Sequence, residues 1–258
     1  MPLAEMRHAA PRGTATGDAD LAAVAGLLAD PGRCRILLAL DQEGRELPAG
    51  RLAAEAGVSP ATASAHLARL VRGGLLSVEM RGRHRFYRLS GLPVGRLLES
   101  MQVLAVPQPI RSLRQSTRAE QLRAARTCYD HLAGRLGVAV MSGMLRTGLL
   151  EGGDGSYHPE LAVQDRPSAY GHDLDYRLSE QGLRFLAEFG VRLPPRRPAV
   201  RYCVDWTERQ HHLAGGLGRG LLDHFLELDW VRRTPNTRAV ELTARGTAGM
   251  HQTFGFRL

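Results

Sequence analysis

Donors that metal ions favour recur together in the second half of the chain. Cys128, Asp130 and His131 stand in "RTCYDHLAGRLG" (126–137), and Cys203, Asp205, His211 and His212 in "RYCVDWTERQHHLAGGLG" (201–218). Thiolate sulfur, imidazole nitrogen and carboxylate oxygen are the donors zinc takes, and two neighbouring thiols can instead be oxidised to a disulfide. Neither copy has a known zinc spacing, so a plainer reading stays open. The cysteines would then be small core residues, and the aspartates would cap the HLAG helix or pair with an arginine. Trp206, Tyr129 and Tyr202 lie beside these positions, which keeps open an aromatic-walled pocket for an organic ligand between the copies. The pattern assigns no metal and no cofactor.

A second polar set lies earlier. Ser59, Thr62, Ser64, His66 and Arg69 punctuate "VSPATASAHLARLVRGGLL" (58–76), and Arg81, Arg83, His84 and Arg85 crowd into "MRGRHR" (80–85). Short hydroxyls, imidazole and guanidinium groups in such clusters read base edges and hold phosphates.

These side chains need elements to position them. Leucine and alanine at helical spacing in "LAAVAGLLADPGRCRILLAL", broken at Asp30-Pro31, predict two helical pieces with Cys34 in the second. "LPAGRLAAEAGVS" predicts a short helix with Leu52, Ala53 and Ala56 inward and a turn at Gly57. Ser59 as N-cap and Pro60 at the first helical position start the next helix, with Leu67, Leu70, Val71 and Leu75 as its buried stripe. Gly73-Gly74 stop it, and "LLSVEMRGRHRFYRLS" alternates like two strands with a basic tip. Helix, turn, capped helix and basic hairpin in this order predict a winged helix-turn-helix.

The charge balance agrees with that assignment. All 34 basic residues are arginine and the net charge is +8, so arginine count alone reflects composition bias as much as affinity for polyanions. Residues 51–90, however, hold seven arginines against Glu55 and Glu79, whereas 121–258 hold 18 against 15 acids.

Residues 20–104 resemble the ArsR family of bacterial winged-helix repressors through three stretches: Ala29-Asp30-Pro31 to Leu37, Leu52 to Leu76, and Gly82 to Leu89. The resemblance covers about a third of the chain. It implies a homodimer on a pseudo-palindromic operator, with the helix before and the helix after the wing, "GLPVGRLLESMQVLA", forming the dimer surface. Leu97, Leu98, Met101 and Leu104 give that helix an apolar stripe. The chain departs from the family at Glu46–Leu52, where Pro48 and Gly50 replace the two thiols of metal-sensing members, and on 92–104, where Glu99 is the lone candidate ligand. Ala65 replaces a long donor, which leaves Ser64 and His66 as the expected base readers.

After "VPQPIRS" begins a region that plain members of the family lack. The duplicated Cys/Asp/HLAG segments, themselves read as helices and each followed by an apolar helix, a hairpin and an "LSxxG" or "LTxxG" helix start, predict two degenerate copies of a small winged-helix-like α+β unit about a pseudo-two-fold axis. One continuous helical domain is the alternative.

The expected fold is therefore α+β, mainly helical: an N-terminal winged helix-turn-helix, then a duplicated winged-helix-like domain. Its parts are a disordered lead-in (1–19), the DNA-binding and dimerisation domain (20–105), a linker (106–121) and an effector domain (122–258) with copies at 122–193 and 199–258. No GxSxG, HExxH or Walker motif occurs, and "GGLGRG" (215–220) misses the dinucleotide spacing by one residue, so an enzyme is not expected. The N-terminus lacks a signal-peptide pattern, no apolar run would span a membrane, and three scattered cysteines fit a reducing cytoplasm. The expected function is a sequence-specific, dimeric transcriptional repressor on double-stranded DNA, with Ser59, Pro60, Thr62, Ser64, His66, Arg69, Arg81, Arg83, His84 and Arg85 at the DNA. The C-terminal region would answer to a small-molecule effector. A metal or thiol-redox response through Cys128, Asp130, His131, Cys203, Asp205, Trp206, His211 and His212 is the alternative, as is a protein-docking winged helix without specific DNA binding.

Overall fold

The computed structural model describes residues 19–106, 109, 113–161, 176–195 and 197–258, so the expected lead-in lies outside the described residues but for Ala19. α1 (Leu21–Leu28) is followed by Asp30, which caps α2 (Pro31–Glu43) by accepting the Arg33 N–H at 2.8 Å. β1 (Leu47–Pro48) leads into α3 (Ala49–Ala56), and left-handed Gly57 (φ 66°) turns the chain into α4 (Pro60–Arg72). β2 (Leu76–Arg81) and β3 (His84–Leu89) pair antiparallel from Leu76↔Leu89 to Arg81↔His84, and β1 joins the free edge of β3. α5 (Leu92–Leu104) follows the hairpin. Ile36, Leu37, Leu52, Leu67, Leu70 and Leu98 close the core beneath these elements. This is the winged helix-turn-helix expected from the sequence.

Three expectations are corrected further on. First, the second half of the expected linker is helical: no Pro or Gly interrupts α6 (Leu113–Ala124), and Leu122 anchors it in the interior. Second, the Cys-bearing segments are strands. β4 (Arg126–Cys128) pairs with β5 (His131–Ala133), and β8 (Arg201–Val204) pairs with β9 (His211–Ala214). Left-handed Gly134 (φ 74°) and Gly215 (φ 71°) separate each hairpin from the helix that follows, so one helix cannot run through "HLAG". Third, the repeated order is hairpin, helix, hairpin, helix, and it lacks the two successive helices of a winged helix. The first copy continues with α7 (Gly134–Arg146), β6 (Leu150–Glu151) paired to β7 (Arg177–Leu178), and α8 (Glu180–Phe189). The second continues with α9 (Gly215–Glu227), β10 (Val231–Arg233) paired to β11 (Val240–Leu242), and α10 (Ala244–Phe254).

The copies interlock reciprocally, α7 lying on β9 and α9 on β5. A Cβ on Gly137 would stand 2.5 Å from the Leu132 carbonyl oxygen and 3.6 Å from His212 Cβ. At the equivalent Gly218 it would stand 2.4 Å from the Leu213 oxygen and 3.0 Å from His131 Cβ. Helix and hairpin approach this closely only because both positions are glycine. Leu136, Met141, Met144, Leu217, Phe225 and Phe254 form one core shared by both copies.

Candidate functional site

Two places in the fold gather chemistry. The first is the outer face of α4 with the wing. Ser59 accepts the Thr62 N–H at 3.2 Å and its hydroxyl lies 2.8 Å from that of Thr62, so the helix start is built from the side chains expected at DNA. Ser59, Pro60, Thr62, Ser64 and Arg69 are exposed on one side, while Ala63, Leu67 and Leu70 are buried on the other. His66 does not join them. Its side chain is 13% exposed and lies 3.6 Å from Asp30, against Gly32 at the start of α2. The helical period turns position 66 toward α2, which corrects its expected role as a base reader.

On the wing, Arg83, His84 and Arg85 are exposed, with Gly82 in the left-handed region (φ 58°) making the turn. Arg81 is held instead by Glu79 at 2.9 Å and by Glu46, with its guanidinium 5.1 Å from the Phe86 ring. Glu79 and Glu46 neutralise its charge, so at the wing tip Arg83 and Arg85 are the arginines left without an acidic partner among the described residues, with Arg88 further down the strand bonded to Ser77.

The second place is the junction of the β4–β5 and β8–β9 hairpins. Cys128 is the register partner of His131, and Cys203 of His212. Each hairpin thus presents one sulfur and one imidazole, and a ligand atom from each of the four residues lies within 4.8 Å of the others. The two rings stand 5.2 Å apart between centroids. His131 Nδ1 is hydrogen-bonded to Asp130 at 3.3 Å, His212 Nδ1 lies 3.4 Å from Asp205 without a hydrogen bond, and Nε2 of both rings is buried with no hydrogen-bond partner among the described residues. Hydrogen bonding to Cys203, with burial, pushes the Cys128 thiol up to about 12.

The two aspartates differ in setting. Asp130, bound by His131 and Arg197, is held well below the usual carboxylate range. Burial would raise Asp205, but Arg126, His212 and Thr207 outweigh it and hold the carboxyl low. Asp205 accepts the Gly134 N–H at 2.7 Å, so it caps the helix of the other copy, and it pairs with Arg126 at 3.1 Å. His211 and Trp206 stay outside the cluster. Neighbouring strand residues face opposite sides, so His211 turns to the Tyr176 hydroxyl at 2.8 Å, and Trp206 lies under the Arg126 guanidinium at 4.7 Å.

Sequence reasoning missed the groups that tie this cluster to the DNA-binding unit. Arg126 lies 3.8 Å from Glu99 of α5, and Arg238 binds both Glu99 and Asp41 of α2 at 2.6 Å. Burial pushes Asp41 up to about 6 against the pull of Arg238, which Glu99 shares. One signal was present: both repeats read Arg-x-Cys, at Arg126 and Arg201. A cavity of about 380 Å³ separates the hairpins from α5, bounded by Cys128, His131, Cys203 and Tyr202 on one side and Arg96 and Ser100 on the other.

Comparison with known proteins adds the relatives. The helix-turn-helix domain family matches residues 28–79. The HTH-type transcriptional regulator YdfF of Bacillus subtilis (strain 168) is 38% identical over 231 residues, 88% of this chain and 93% of its own. Among solved structures, the homodimeric winged helix-turn-helix domain Mb0332 of Mycobacterium bovis, a possible ArsR-family regulator, is 32% identical with a TM-score of 0.30, covering 35% of this chain and 89% of that one. The cadmium sensor CMTR of Mycobacterium tuberculosis is 36% identical with a TM-score of 0.28, covering 36% of this chain and 100% of that one.

Proposed function

The chain belongs to the helix-turn-helix transcriptional regulators, and from that premise we propose a DNA-binding, dimeric cytoplasmic repressor of the ArsR type, without enzymatic activity, whose C-terminal copies form its effector domain. The observation that carries this reading is the placement of α5. One side of α5 is bound by the C-terminal copies through Glu99, through the Tyr129 hydroxyl on the Gly91 carbonyl at 2.8 Å, and through Arg209 on the Val103 carbonyl. Its other side leaves Leu104 77% and Met101 37% exposed, with Leu21 of α1 75% exposed. A second copy of the chain covers those residues, so whatever fills or reshapes the cavity behind α5 acts on the dimer surface directly.

The two α4 helices of such a dimer enter successive major grooves about 34 Å apart. Ser59, Thr62, Ser64 and Arg69 face base edges and nearby phosphates, while Arg83, His84 and Arg85 hold the backbone. An effector favours one spacing of the two helices over another, and release follows from the difference in affinity between the spacings. The two C-terminal units descend from one duplicated unit, which the reciprocal glycine contacts support. No helix among the described residues is long and apolar enough to cross a membrane.

The reading is tested by footprinting the full chain on DNA upstream of its own gene. Two protected half-sites about one helical turn apart are expected. Protection no different from that of random DNA would favour a protein-docking winged helix instead.

A further inference from the structure

We propose that Cys128, His131, Cys203 and His212 bind one four-coordinate, thiophilic cation of the Zn(II) class, held across the local two-fold axis of the C-terminal domain. Three independent features converge on it. The four donors come in equivalent pairs from two hairpins and already lie within 4.8 Å of one another. Bond lengths of about 2.3 Å to sulfur and 2.0 Å to nitrogen require donor separations of roughly 3.3–3.8 Å, so closure asks for side-chain movement of about an ångström.

The second feature is the pair of stranded nitrogens. With Nδ1 of His131 toward Asp130 and Nδ1 of His212 toward Asp205, each Nε2 is left buried with no hydrogen-bond partner among the described residues. A core built for packing alone has no use for two unmatched imidazoles, each of which costs about 1–3 kcal/mol. Coordination satisfies both at once. The aspartates then take the position that carboxylates commonly hold behind metal-bound histidines, orienting the ring through its other N–H. The repeated Cys-x-Asp and His thus acquire separate roles: ligand, positioning residue, ligand.

The third feature is charge. Two thiolates and two neutral imidazoles cancel a divalent cation, so a buried site carries no net charge. Sulfur and nitrogen in a two-and-two set favour zinc-like ions over the oxygen-seeking magnesium and calcium. The cavity beside Cys128, His131 and Cys203 gives the ion a way in.

Occupancy is also felt at a distance, and this part rests on the effector-domain reading above. Asp205 joins His212 to Arg126, Arg126 faces Glu99 on α5, and Arg238 links Glu99 to Asp41 on α2. Drawing His212 toward an ion shifts the charge balance along this chain of contacts into the DNA-binding unit.

The experiment uses the reduced, metal-free full-length protein titrated with Co(II), then Zn(II). One equivalent giving tetrahedral visible bands and a thiolate charge-transfer band, displaced by Zn(II) and shielding two of the three thiols from alkylation, is the expected result. Cys203→Ser loses most of the thiolate band. Asp130→Asn, which removes no ligand, keeps the tetrahedral spectrum and binds 10–100-fold more weakly, with unchanged circular dichroism as the check on folding. No stoichiometric ion, or bands of an octahedral ion, overturns the site. So does loss of two thiols to a disulfide under mild oxidation in a protein that takes up no ion. DNA affinity is measured on the same samples: a bound ion that leaves it unchanged overturns the link to α5 while the site stands, and absence of any specific DNA binding overturns the regulator reading alone.

Discussion

Arg83 and Arg85 are exposed at the wing tip, whereas Arg81, two residues from Arg83, is neutralised by Glu79 and Glu46. Equal residue types therefore carry unequal expectations. Arg83→Ala and Arg85→Ala each weaken binding to all sequences and reduce the slope of log affinity against log salt by about 1. Arg81→Ala changes that slope less. Salt titrations by fluorescence anisotropy check both statements, and equal slopes for all three variants would contradict the assignment. The same reasoning separates Ser64 from His66. Ser64→Ala should alter discrimination between operator and mutated operator, while His66→Ala, losing contacts with Asp30 and Gly32, should lower the melting temperature without changing sequence preference.

At the scale of elements, the N-terminal unit was legible because its signals are local. Asp30-Pro31, Gly57, Ser59-Pro60 and Gly73-Gly74 mark boundaries by cap chemistry and backbone freedom, and the structure puts helix ends at each. The C-terminal hairpins were read as helices because "LAGRLG" and "LAGGLG" do start helices, while the strand before each is only three or four residues long. Gly137 and Gly218, inside the helices that Gly134 and Gly215 begin, let each helix close on its own hairpin and on the histidine of the other copy. Gly137→Ala or Gly218→Ala should destabilise the protein by about 1–3 kcal/mol through overpacking, read by urea unfolding; a neutral result at both would contradict the tight helix–hairpin contact. Asp41 makes a prediction about pH. The folded chain holds its proton to about 6 and the unfolded chain releases it near the ordinary 3.8, so folding takes up a proton between those values. Stability contributed by this group therefore grows as pH falls from about 6 toward 3.8 and is absent above 6, by on the order of 1–3 kcal/mol. Melting curves of Asp41→Asn against the parent between pH 4 and 7 should diverge in that sense.

For the whole molecule, the sequence showed a DNA-binding third and a duplicated remainder but not how they are joined. Arg238 meets Asp41 across 197 positions and Glu99 across 139, and no local pattern marks such pairs. The four-residue cluster was half visible: its members were among the candidates, but whether they met depended on hairpin register and on two copies facing each other. The exposed apolar residues of α1 and α5 belong to this scale as well. In the proposed dimer, Leu104→Glu should leave a monomer in sedimentation velocity and weaken operator binding, since each monomer then holds one half-site. A dimer that persists in this variant would place the interface elsewhere.

On the proposed reading, the protein joins sequence-specific DNA binding at α4 and the wing to an effector site between the C-terminal copies. Fluorescence anisotropy of the full-length protein on DNA from upstream of its own gene, with chelator or with Zn(II) and at several salt concentrations, tests it most directly. Tight, salt-steep binding that exceeds binding to random DNA and changes between chelator and Zn(II) is the predicted result. Binding indifferent to DNA sequence would contradict the regulator, and specific binding identical in both conditions would contradict an ion as its signal.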